Sequence, residues 1–167
     1  MLHIGGTLMA VRYFSLIIGF VYTLFGLLGF FPGFVEPAPA PDFMTQVGTG
    51  TAAGFGYLFG LFPVTTVNNI FHLIIGTIGF AGFLSTEPAA RIFSDSLAVW
   101  FGLLTFLGLF PVANTTFGLM PIFGNDVWLH LVTAVLAAYF GFARDRGRLR
   151  NNPSQSGGRQ LKESFYQ

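Results

Sequence analysis

Four long apolar runs dominate this chain and leave it few possible folds. They cover Met9 to Phe31, about Thr65 to Ser85, about Ile92 to Phe110 and about Asp126 to Phe142. A helix needs roughly 20 predominantly apolar residues to cross the hydrocarbon core of a bilayer. Inside that core each backbone N–H and C=O must be satisfied within its own segment, which selects helices. The punctuation agrees. Pro32 and Gly33 end the first run, Pro63 precedes the Thr65/Thr66 pair that opens the second, and Pro111 stops the third. Ser94, Asp95 or Ser96 is available to cap the third helix, and Asn125 or Asp126 the fourth. The first run is too long for a typical signal-peptide core and no A-x-A-like site closely follows it, so it reads as a retained span. The expected fold class is an all-α membrane protein with four transmembrane helices within residues 1–143.

Composition excludes the soluble alternatives. Only 9% of the 167 residues are charged and 53% are hydrophobic, against about 25% charged in a soluble domain. With no cysteine, disulfides, zinc–thiolate sites and thiol nucleophiles are ruled out. Six of the eight Lys and Arg residues lie in the tail: Arg144, Arg146, Arg148, Arg150, Arg159 and Lys162. The segments between spans one and two (residues 32–64) and between spans three and four (111–125) contain none. Arg12 and Arg91 fall on the same side as the tail, so the positive-inside rule puts both termini in the cytoplasm. Residues 144–167 then form a basic, disordered cytoplasmic tail beside anionic headgroups. No nucleic-acid motif accompanies it. Arg91 and Asp95, four apart at that edge, read as a solvated ion pair.

The outer loop 32–64 has an extended proline-rich part, Glu36 to Phe43, and a Gly-rich then aromatic part, Gly48 to Phe62. The latter has no G-K-[ST] and is no phosphate cradle. It reads as a flexible or interfacial segment, with Phe55, Tyr57, Phe59 and Phe62 at headgroup level.

A phrase is repeated. "GLFPV" occurs at Gly60 to Val64 and again at Gly108 to Val112, and each is followed by a "HL" pair, at His72 and at His130. Aligned on histidine, Asn68 to Phe80 matches Asp126 to Ala138, and a weaker echo, "GFFPG", occurs at Gly29 to Gly33. Either common membrane residues have converged, or two hairpins, spans 1–2 and 3–4, form a parallel repeat about an axis along the membrane normal. Small residues would allow close packing: Gly19 and Gly26, then Gly76, Gly79 and Gly82, then Ala134, Ala137 and Ala138.

His72 and His130 are the candidate site residues, with Asn68, Asn69 and Asp126 three or four positions before them as supporting polar groups. Ionisable groups inside a membrane are costly and point to function. One reading is structural, with neutral imidazoles stitching neighbouring helices by hydrogen bonds. A second is axial ligation of haem iron or chlorophyll magnesium by both rings. A third is a proton or small-solute path through Asp126 and His130. No catalytic residue and no metal-ligand cluster is read. Ser/His/Asp sets, H-E-x-x-H and paired carboxylates within a span are all missing from the sequence.

The phrase N-N-x-x-H-L-x-x-G-x-x-G, Asn68 to Gly79, followed by a second "H-L" helix, resembles an uncharacterised bacterial family of four-helix integral membrane proteins. That family is known only as a domain of unknown function. The resemblance covers about residues 8–143 and implies four transmembrane helices, but supplies no activity or site residue. The second copy departs from the phrase, with Asp126 for Asn68 and alanines for Gly76 and Gly79. The expectation is a small non-enzymatic accessory or structural subunit of a membrane assembly, with a cofactor-binding protein as the alternative. Its partners would be lipid, other membrane subunits or further copies of itself. Its place would be a bacterial plasma membrane, or a thylakoid membrane in a cyanobacterium.

Overall fold

In the computed structural model, residues 3–39 and 54–142 are described, with side chains from residue 9 onward. The middle of the first outer loop and the basic tail, with their expected extended and disordered character, lie outside the described residues. Among the described residues there are four α-helices: α1 (His3–Leu28), α2 (Thr66–Leu84), α3 (Glu87–Gly108) and α4 (Asn125–Gly141). Three stretches, Met9–Leu28, Thr66–Leu84 and Glu87–Gly108, are long and apolar enough to cross a membrane. The fourth helix has 17 residues, about 25 Å at 1.5 Å per residue.

The helix starts follow local chemistry. Thr65 caps α2: its Oγ1 accepts from the Asn68 backbone N–H at 3.3 Å and donates to Asn68 Oδ1 at 2.8 Å. For α3 the expected caps are wrong. The helix begins at Glu87 after Thr86, with Pro88 in the first turn, where its missing N–H costs nothing. Ser94 therefore lies inside the helix and donates to Ala137 O of α4 at 2.8 Å. The first turn also pairs Glu87 with Arg91, one turn on. At α4 the cap position is Gly124, at a positive φ of 63°. Asn125 instead reaches back to Leu61 O at 3.2 Å, tying the α1–α2 and α3–α4 connections together.

Helix α1 packs on α2 through glycines. A Cβ added at Gly19 would lie 2.9 Å from Phe80 N, and one at Gly79 would lie 2.7 Å from Gly19 Cα. Each backbone occupies the space a methyl group would need, which is how helices hold together where no hydrophobic effect drives them. The far ends of the helices are tied by arginines. Arg12 donates through Nε and Nη2 to Phe83 O at 2.9 and 2.7 Å, and Arg91 donates to Gly141 O at 3.0 Å. Phe14, Ile18 and Tyr22 of α1 meet Phe93, Leu97 and Phe101 of α3 in the core. The outward faces carry large exposed apolar side chains such as Phe20, Ile74, Val99 and Val135.

The connection between α1 and α2 holds a small antiparallel sheet that the sequence reading missed: β1 (Val35–Pro37), β2 (Gly56–Leu58) and β3 (Phe62–Val64), in that order. Val35 faces Leu58, and Leu58 faces Phe62. The β2–β3 turn has positive φ at both central residues, Phe59 (55°) and Gly60 (69°), as a type I′ turn requires. The aromatics of this loop include Phe62 and Phe59, which pack edge-on against Phe25 of α1, with ring centroids 5.4 and 6.4 Å away.

The two "GLFPV" copies have different structures. Gly60–Val64 is the end of a turn and strand β3, whereas Gly108–Val112 is the end of α3 and the turn after it. Identical letters here do not mark equivalent positions.

Candidate functional site

The segment from Leu109 to Gly124 folds back over the neighbouring helix ends rather than away from them. Threonines shape it: Thr116 Oγ1 donates to Met120 O and accepts from Met120 N, each at 2.9 Å. Three consecutive residues, Thr116 (φ 47°), Phe117 (57°) and Gly118 (90°), have positive φ, a strained conformation for the two non-glycines. The result turns Met120, Pro121 and Ile122 inward, where all three are buried. Asn68 Nδ2 anchors this segment to α2 by donating to Pro121 O at 3.0 Å.

Beneath it, the two histidines predicted from sequence come to one place. His72 is 5% exposed and His130 3%, and both line the same void. Four rings, one from each helix, run across the molecule. His72 of α2 meets Tyr22 of α1 edge-on at 5.3 Å, Tyr22 meets Phe101 of α3 at 5.2 Å, and Phe101 meets His130 of α4 at 5.0 Å. The Tyr22 and Thr133 hydroxyls share a hydrogen bond of 2.8 Å between α1 and α4.

The supporting residues are placed differently from one another. Asn68 is committed to Thr65 and Pro121, not to the imidazole one turn on. Asn69 is wedged against α1, where a Cβ on Gly26 would lie 2.7 Å from its backbone oxygen. Asp126 is 1% exposed. Nδ1 of His72, Nδ1 of His130, Oδ2 of Asp126 and Oδ1 of Asn69 are buried without hydrogen-bond partners. Sequence reasoning missed Tyr22, Phe101, Met120 and Thr133. In a chain with 22 phenylalanines, nothing local separates a site aromatic from a lipid-facing one.

The void measures about 20 Å³, room for about one water molecule. Ligand pockets run to about 300–1,000 Å³, so a haem or chlorophyll macrocycle does not fit between these rings as they stand. Among the described residues, no three of His, Cys, Asp and Glu come close enough to hold a metal by themselves.

The protein is helical, three of its helices are long and apolar enough to cross a membrane, and a buried chain of rings joins all four. Residues 12–143 match the model of a family described as a domain of unknown function, DUF4383, and the chain belongs to that family. No curated protein and no solved structure matches it.

Proposed function

We propose that this is a multi-pass membrane protein built from two like hairpins, α1–α2 and α3–α4, that serves as a non-enzymatic accessory or structural subunit of a larger membrane assembly. The hairpin reading is supported by contacts that recur at constant spacing. Arg12, Ser15 and Tyr22 of α1, and Gly29 just after it, lie 79 positions before Arg91, Ser94, Phe101 and Gly108 of α3. Asn69, His72, Gly79 and Phe83 of α2 lie 58 positions before Val127, His130, Ala137 and Gly141 of α4. The partners then match: Arg12 with Phe83 O as Arg91 with Gly141 O, and Tyr22 with His72 as Phe101 with His130. Ser15 lies against Gly79 as Ser94 lies against Ala137. On this register the true counterpart of "GLFP" at Gly108 is the fainter "GFFP" at Gly29, each ending the first helix of its hairpin.

With α4 as a fourth span, at the lower end of the usual 17–25 residues, the two arginine ties share one face. The sheet and the Leu109–Gly124 segment share the other. The lack of Lys and Arg in both outer loops makes the arginine face cytoplasmic.

One observation carries the subunit reading. Asn68 and His72 of α2 and His130 of α4 meet around a void of about 20 Å³, and Tyr22 of α1 is hydrogen-bonded to Thr133 of α4, while the outward faces are apolar and aromatic. A molecule whose polar groups join its own halves, and whose surface offers broad apolar area, is fitted to pack beside other membrane proteins. The test is affinity purification of the tagged chain from its native membrane in mild detergent. The expected result is a colourless complex well above the 18.2 kDa chain mass, with a companion in fixed ratio. A chain isolated alone would overturn the subunit reading. A Soret or red absorption band lost in both His72→Ala and His130→Ala would favour the cofactor reading instead.

A further inference from the structure

The void between the histidines has an unusual donor set. His72, His130 and Met120 line it with Asn68, whose amide is already held by Thr65 and Pro121, and no Asp or Glu does. Each histidine has an Nδ1 without a hydrogen-bond partner, so that nitrogen holds neither ring to another protein group. The size admits a single small species, a water or one ion.

From this geometry we infer a binding site for one copper(I) ion, held by His72, His130 and the sulfur of Met120. Zinc sites use three or four thiolate, imidazole or carboxylate ligands, and only two such residues line this void. Thioether sulfur is a soft ligand that selects copper(I), and imidazole also suits copper. Charge points the same way. The cost of burying an ion rises with the square of its charge, and it is large in a low-dielectric interior. A monovalent ion is therefore the one a carboxylate-free void admits most readily. Asp126, one turn before His130 and 1% exposed with Oδ2 unpartnered, does not line the void.

The site also accounts for the strained turn. Positive φ at Thr116 and Phe117, the two Thr116–Met120 hydrogen bonds and the Asn68–Pro121 anchor together fix the backbone that carries Met120 over the histidines. The third ligand is thereby held in place before the ion arrives, as a bound-state geometry requires.

Trp100 lies on the rim of the void and is one of two tryptophans in the chain. A Trp128→Phe background makes it the sole reporter. The full-length chain, carrying no histidine tag, is titrated in detergent without oxygen with copper(I) buffered by bathocuproine disulfonate. The expected result is transfer of one copper per chain with quenching of Trp100. Met120→Leu, which keeps the side-chain volume, weakens binding at least tenfold, and His72→Gln with His130→Gln abolishes it. Zinc in the same titration should not bind. No transfer, unchanged affinity in Met120→Leu, or zinc held as tightly as copper would each overturn the assignment. If the double histidine variant loses its helical circular dichroism, Met120→Leu decides the matter.

Discussion

Tyr22 and Thr133, 111 positions apart, share a buried hydrogen bond of 2.8 Å between the first and last helices. It joins α1 to α4 beside the histidines. On the proposed hairpin register the matching positions are Phe101 and Ile75, where neither side chain has a hydroxyl. The polar pair on one side is replaced by an apolar pair on the other, so neither leaves a lone polar group buried.

Interhelical hydrogen bonds in membranes contribute about 0.6 kcal/mol on average. Tyr22→Phe should therefore lower unfolding free energy in detergent by about that amount. Tyr22→Ala, which also empties the space between His72 and Phe101, should cost about 3–5 kcal/mol. Equal effects of the two variants in a denaturation titration would mean that the ring, with its contacts to His72 and Phe101, contributes nothing.

Gly79 tests the close approach of α1 and α2. A methyl there meets Gly19 backbone atoms at 2.7 Å, so Gly79→Ala should destabilise the protein by about 1–3 kcal/mol. Gly102 faces open space, with nothing within 4 Å of an added Cβ. Gly102→Ala should be neutral or slightly stabilising, because alanine is the better helix former. Thermal unfolding of the two variants side by side distinguishes them.

Asn68→Ala removes the donor to Pro121 O and leaves that buried carbonyl without its partner. The expected cost is about 1–3 kcal/mol. The loss should be local as well as global, with faster proteolysis within Leu109–Gly124 while cleavage in the β2–β3 turn is unchanged. Equal acceleration at both places would mean that Asn68 does not anchor the segment in particular.

The end ties make a further pair. Arg12→Lys keeps the charge but loses the two-nitrogen grip on Phe83 O, because an ammonium group is a point charge without a planar fork. It should lower stability by about 0.5–1.5 kcal/mol, the usual net value of a hydrogen bond. Insertion should be unaffected, which protease protection in membranes reads directly.

Much of this was legible in sequence because it depends on local chemistry. Apolar runs and the stops at Pro32 and Pro111 mark helices, and the order Asn68–His72–Gly76–Gly79 marks a polar group on a packed face. The sheet was not legible. Its strands have three residues each, include Pro37 and Pro63, and owe their pairing to register between segments some 20 positions apart. The cap of α3 was misread because three polar residues near Ile92 outweighed Thr86 and Pro88, which lie before any apolar run. Met120 gave no local signal, since its place over the histidines depends on a turn with positive φ at two non-glycine residues. Tyr22 and Phe101 were in principle recoverable. Their separation equals that of Arg12 and Arg91 and of Ser15 and Ser94, but the comparison of the two copies rested on the five-letter identity and the histidines and did not extend into the first run.

The central claim is four crossings in two hairpins with both termini inside, including the short α4. The chain has no cysteine, so single cysteines can be introduced and labelled on intact cells with a membrane-impermeant maleimide. Cysteines at Leu61, on the β2–β3 turn, and at Val112, 85% exposed, should label from outside. Cysteines at Thr86, between α2 and α3, and at Gln167 should label only after the membrane is opened. Labelling of position 167 from outside would remove α4 as a span and contradict the account.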